Sequence, residues 1–148
     1  MLWLDKSFDF FFSLAEEALH DSKVAIDNGS FRMSVNRSYY AAFYAATAML
    51  LKKDLYHKTH SVLFINWLEF VVNGDFDNNI AKFLSSLESY RSKSDYGYIP
   101  QVTETKASRD LEKAEKFCKR MWKNMKNIYY TIIYFFIFWF YLLKSCKF

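Results

Sequence analysis

Residues 36–46 read Asn36-Arg37-Ser38-Tyr39-Tyr40-Ala41-Ala42-Phe43-Tyr44-Ala45-Ala46. Alanine is the strongest helix former, and it loses no side-chain entropy on folding. Its short side chain also lets a second helix approach closely. The run is apolar on more than one face of a helical wheel, which predicts a central helix rather than a surface one. The predicted bounds are Phe31 to Lys53, with Lys52 and Lys53 complementing the carboxyl end of the helix dipole.

Helical periodicity extends on both sides. Upstream, Phe8, Phe11, Phe12, Ala15, Ala18, Leu19 and Ile26 recur at mostly three- and four-residue spacing, predicting a helix from Phe8 to Asp27. Ser7 is its expected N-cap, and Asn28-Gly29-Ser30 supplies a stop and the next cap. Downstream, His57-Lys58-Thr59-His60 opens a third helix that reaches Asn73-Gly74, with Thr59 or Ser61 as cap. A fourth is expected from Asn78 to Tyr90, with Ile80, Phe83, Leu84 and Leu87 inward. The stretch from Arg91 to Pro100 reads as the longest polar loop. A fifth helix starts near Thr103 or Thr105, with Leu111, Ala114, Phe117, Met121 and Met125 on one side and Lys116, Lys119, Arg120, Lys123 and Lys126 on another. Short connections make consecutive helices antiparallel. The expected fold is all-α, an up-and-down bundle of four to five antiparallel helices.

Composition agrees. The chain has 148 residues, 52% of them hydrophobic, and only 3 Gly and 1 Pro, too few for the turns of a many-stranded β protein. Its two cysteines cannot build a disulfide scaffold or a thiolate zinc site. No basic, apolar leader opens the chain, so the expected compartment is the cytoplasm. Residues 1–100 hold 10 Lys and Arg against 12 Asp and Glu, whereas residues 101–148 hold 10 against 4. The basic end suits phosphate, an anionic membrane surface or an acidic partner, or is a solvated helix face.

Residues 128–148 differ from the body. From Ile128 to Leu143 there is no charge. Sixteen helical residues span about 24 Å, short of the roughly 30 Å of a bilayer core, and Tyr and Trp lie through the segment instead of at its ends. An extension of the fifth helix, a membrane anchor through 128–143 and an aberrant end are the three readings of this tail.

No glycine-rich phosphate loop, His-Glu-x-x-His element or nucleophile elbow is present. No metal site and no cofactor is expected. Arg37 lies in an apolar helix. It either pairs structurally with a carboxylate such as Asp95 or with carbonyls, or binds a phosphate in a cleft. His60 is either a capping histidine or a ligand-contacting, acid–base group. Arg91 suits phosphate, Asp95 could hold Arg91 or Arg37, and Tyr96 could stack on a base or donate a hydrogen bond. The alternative is that Arg91, Asp95, Tyr96 and Tyr98 lock a loop against the bundle.

The residue 36–46 run, Lys58-Thr59-His60-Ser61, Arg91-Ser92-Lys93-Ser94-Asp95-Tyr96 and Lys113-Ala114-Glu115-Lys116-Phe117 come in the order and spacing of HEPN-domain proteins. The chain resembles the prokaryotic branch associated with minimal nucleotidyltransferases, over roughly residues 8–127. The expected domain division is therefore a HEPN-like bundle at 1–127 and an aromatic apolar tail at 128–148.

The resemblance implies a toxin–antitoxin component, commonly a homodimer, partnered by a minimal nucleotidyltransferase and acting on RNA or nucleotide. Many HEPN proteins are metal-independent ribonucleases with Arg, four to six residues, then His. Here the positions four to six residues beyond Arg91 carry no His; Tyr96 stands in that place and Tyr98 in that of a tyrosine that related proteins have adenylylated. A tyrosine, with a pKa near 10, is a poor general base at neutral pH. The expected catalytic group is Arg91, Asp95 and Tyr96; the expected nucleotide- or RNA-binding group is Arg37, Tyr40 and His60; Tyr98 is the expected modification site. The alternative is a non-catalytic module that binds a nucleotidyltransferase.

Overall fold

A computed structural model describes the backbone of residues 2–52, 79, 82–86, 89, 93 and 101–145, and the side chains of 8–51, 79, 82–86, 89, 93 and 101–124. Helix α1 spans Leu2–Asp27. Phe8, Phe12, Ala15, Ala18, Ser22 and Ala25 form its buried stripe, at the spacing of one helix face. The helix runs through Ser7, so Ser7 is not the cap that the periodicity suggested. The residues before it, Leu2 to Lys6, contain no Gly or Pro to stop a helix.

The α1 terminus is built by the predicted turn. Gly29 has φ +71°, the left-handed conformation that costs glycine least. The Ser30 N–H donates to the Ala25 carbonyl at 2.7 Å and the Gly29 N–H to the Ile26 carbonyl at 2.9 Å. This pair of bonds is a Schellman motif, which satisfies carbonyls that the helix end would leave bare. The Ser30 carbonyl then accepts from the Ser34 N–H, opening α2, Phe31–Lys52.

Helix α2 touches both other long helices. Ala41, Ala42, Ala45, Ala46 and Ala48 are all buried, as are Met49 and Leu50. Its position is central, as the alanine run predicted. Ser22 of α1 meets Ser34 and Ser38 of α2, while Phe11 meets Tyr44, so the two helices are antiparallel. The three serines are fully buried. Ser22 donates its single hydroxyl proton to the Ser34 carbonyl at 3.0 Å. The hydroxyls of Ser34 and Ser38, 2.8 and 2.9 Å away, must therefore donate to Ser22. One donor bond and two acceptor bonds saturate the Ser22 oxygen.

Residues 82–86 are helical, with Phe83 and Leu84 buried as expected for the fourth predicted helix. Lys93 is also helical, where a polar loop was expected. Between Tyr90 and Lys93 the sequence has no Gly or Pro, the first breaker being Gly97. The predicted third helix, and Ile80 and Leu87, lie outside the described residues.

Helix α3 spans Glu104–Ser145. Thr103 is its N-cap: its Oγ1 accepts from the Lys106 N–H at 3.3 Å, and its carbonyl from the Ala107 N–H at 3.0 Å. Ala107, Leu111, Ala114, Phe117 and Met121 form the inward face. Ala114 and Ala41 are both fully buried, and the Cys118 thiol reaches the Ala41 carbonyl at 3.6 Å, so the small residues admit a close helix approach. The backbone of residues 128–145 continues α3 as one helix. No strand occurs among the described residues, and the fold is an all-α helical bundle. Among the described residues no helix is long and apolar enough to cross a membrane.

Candidate functional site

Two of the predicted site residues, Arg37 and Tyr40, lie on described parts of α2. His60, Arg91, Asp95, Tyr96 and Tyr98 lie outside the described residues.

Arg37 is not sunk in the core. Its Nε lies 3.7 Å from Asp21 Oδ2 on α1, and the two side chains are 42% and 43% exposed. The carboxylate beside it is Asp21, seven residues before the Asn28-Gly29 turn that folds α2 back onto α1. An ion pair this long and this wet contributes about 0–1 kcal/mol. Its consequence is positional: Asp21 engages Nε, and the terminal guanidinium nitrogens are not spent on that contact. A guanidinium edge offered this way suits a bidentate anion such as phosphate.

Tyr40 follows Arg37 by three residues and Tyr44 follows by seven, so all three share a helix face. Tyr40 is half-buried. Its ring lies 5.3 Å from Tyr39 at 73° and 5.9 Å from Tyr44 at 33°. Tyr44 in turn contacts Phe11 of α1 at 6.2 Å. These contacts fix Tyr40 and Tyr44 on the helix face that Arg37 shares, a cationic and aromatic face of α2.

A second feature lies between Asn79, residues 82–86 and α3. A groove of about 610 Å³ is lined by Asn79, Lys82, Ser86, Lys113, Lys116 and Arg120 over a floor of Phe83 and Phe117. The Phe83 and Phe117 rings meet at 6.4 Å, which ties the two walls together. Lys116 hydrogen-bonds Glu112 one turn earlier. That hydrogen bond and the Lys116 charge hold the Glu112 carboxyl below its usual range. Sequence reading picked out Lys116 and Arg120 as a basic face but missed that Lys82 and Lys113 join them. The signal was present in part: Lys113, Lys116 and Arg120 stand at three- and four-residue spacing. That Lys82 faces them is a tertiary fact.

Among the described residues no cluster of His, Cys, Asp or Glu could hold a metal ion. Cys118 is buried, and burial pushes its thiol up to about 12, with the charges of Glu115 and Glu16 acting in the same direction. It is thus no nucleophile at neutral pH.

Comparison with known proteins gives a consistent picture. The HEPN domain family profile matches residues 8–127. A UPF0332 protein of Thermotoga maritima is 32% identical over 125 residues, covering 84% of this chain and 95% of that protein. A Methanocaldococcus jannaschii protein whose name marks it as a candidate toxin is 34% identical over 116 residues, covering 78% of this chain and 86% of its own. An Archaeoglobus fulgidus UPF0332 protein is 33% identical over 114 residues, covering 76% and 90%.

Proposed function

The chain belongs to the HEPN domain family, and from that premise we propose that it is the toxin-type component of a two-component module, binding RNA or nucleotide. The observation that carries this reading is Arg37: half-exposed, steadied by Asp21 through Nε, and sharing a helix face with Tyr40. That combination serves phosphate through the guanidinium and a base or ribose through the phenol. The resemblance adds His60, Arg91, Asp95 and Tyr96 to the same cleft, in a homodimer. Relatives with toxin names support the toxin side of the reading.

Binding is the primary activity in this proposal and metal-independent cleavage the secondary one. Cleavage needs a base for the 2′-hydroxyl and an acid for the leaving oxygen. Tyr96 in the place of the family's histidine supplies neither well at neutral pH. Arg91 would still stabilise charge on the phosphate. The same tyrosine favours a second reading, a non-catalytic module whose partner is a minimal nucleotidyltransferase and whose Tyr98 hydroxyl accepts a nucleotidyl group with release of pyrophosphate.

The test uses the purified full-length chain with labelled single-stranded RNA, beside Arg37→Ala and Arg91→Ala. The expected result is binding that weakens about tenfold or more in each variant, the loss of a charge-assisted contact. Binding and cleavage that persist unchanged in both variants would remove the proposed cleft. Co-purification with a nucleotidyltransferase, without RNA turnover, would select the second reading.

A further inference from the structure

We infer that the groove between Asn79, residues 82–86 and α3 is a second binding site, a track for the phosphodiester backbone of an extended single strand. It deepens the RNA-binding reading and rests on it for the choice of RNA over DNA.

Charge comes first. Lys82, Lys113, Lys116 and Arg120 line the groove, and among the described residues no carboxylate does. Glu112, outside the lining, pairs with Lys116. All four cations are exposed, so each keeps its charge within reach of a polyanion.

Geometry comes second. Lys113, Lys116, Arg120 and Lys123 are all exposed on one face of α3, and ten helical residues extend about 15 Å. On the facing wall Asn79, Lys82 and Ser86 are helical and exposed, with the three- and four-residue steps of one helix face. The groove is thus a line of positive charge, not a point. A line suits a repeating anion; a single nucleotide would use only part of it.

The floor decides between a nucleic acid and an acidic helix. An amphipathic helix docks by inserting apolar side chains into an apolar groove. Phe83 and Phe117 are 9% and 4% exposed, already committed to the bundle core. They offer little grip to an incoming apolar face. A backbone-tracking polyanion needs none. Polar groups on the walls are those that commonly meet phosphate oxygens, although the Ser86 hydroxyl already donates to the Phe83 carbonyl at 2.7 Å.

The experiment is fluorescence anisotropy of the full-length chain with a labelled uridine 20-mer across a salt series. Four phosphate contacts on a single strand predict a slope of about 3 in log Kd against log salt. Lys82→Glu with Lys113→Glu is expected to weaken binding at least about tenfold and to lower the slope by about 1.4. Lys82→Gln with Lys113→Gln should shift binding in the same direction by less, and circular dichroism checks that both variants stay helical. Lys119→Glu, an exposed change on α3 outside the groove lining, should have a much smaller effect.

Binding equal to the parent's in both double variants would overturn the inference. So would a loss as large in Lys119→Glu, which would mean diffuse attraction. Poly-L-glutamate competing as well as RNA at equal charge would assign the groove to an acidic polypeptide instead. If Arg37→Ala weakens binding while the groove variants do not, only this inference falls. If the parent chain binds no RNA at low salt, the functional reading falls first.

Discussion

At the scale of single residues, the structure turns on a few polar side chains that are placed, not merely present. Ser22 sits fully buried between α1 and α2, with its hydroxyl saturated by Ser34 and Ser38. Replacing it strands two buried donors at once. Ser22→Ala is expected to cost about 1–3 kcal/mol, read from the urea midpoint. Ser22 is unreadable from periodicity, because a serine in an apolar stripe has no pattern of its own until its partners twelve and sixteen residues away are known. Cys118 carries a second expectation. Its folded thiol is pushed up to about 12 against an ordinary 9.0. Below pH 9 both states keep the proton, so this group leaves stability unchanged. Above pH 9 the unfolded chain loses its proton first, and stability falls by up to about 1.4 kcal/mol per pH unit. Alkylation with iodoacetamide at pH 8, followed by peptide mass spectrometry, should leave Cys118 unmodified in the folded protein and modify it in denaturant. Rapid modification in the folded state would contradict the burial.

At the scale of elements, the capped turns were the most legible part of the chain. Asn28-Gly29-Ser30 was read as a stop and start, and the Schellman bonds at Ser30 and Gly29 are its physical form. Nothing lies within 4 Å of a Cβ built on Gly29, so Gly29→Ala meets no clash. Its cost is the left-handed backbone alone, about 1 kcal/mol, and Gly29→Asn should cost less. Thermal unfolding of the two variants compares them directly. The alanine run of α2 was legible too, since alanine combines the strongest helix propensity with a side chain small enough to admit close neighbours. Ala45→Leu is expected to destabilise by about 1–3 kcal/mol through overpacking, with the Tm falling accordingly. The boundaries without breakers were harder. Ser7 has the chemistry of a cap but no stop before it, and α1 continues to Leu2. Lys93 follows a polar run that has no breaker, and it is helical.

At the scale of the whole molecule, the fold class and the family were legible, and the meeting of distant side chains was not. The motif order pointed to the HEPN family, and the profile match over 8–127 bears that out. Arg37 was read as pairing with a carboxylate such as Asp95 or with carbonyls, or as binding a phosphate. It lies at the α1–α2 edge with Asp21, because the reversal of the chain at Gly29 brings those two positions together. The basic face of α3 was visible, but Lys82 joining it depends on how residues 82–86 lie against that helix. The account holds that this bundle presents cations for a nucleic-acid backbone. Its most direct test is one titration of the purified chain with single-stranded RNA at 50 and 200 mM salt. Binding at the lower salt that weakens roughly fiftyfold at the higher is the predicted result, for about four phosphate contacts. No binding at either salt, or binding that salt leaves unchanged, would contradict it.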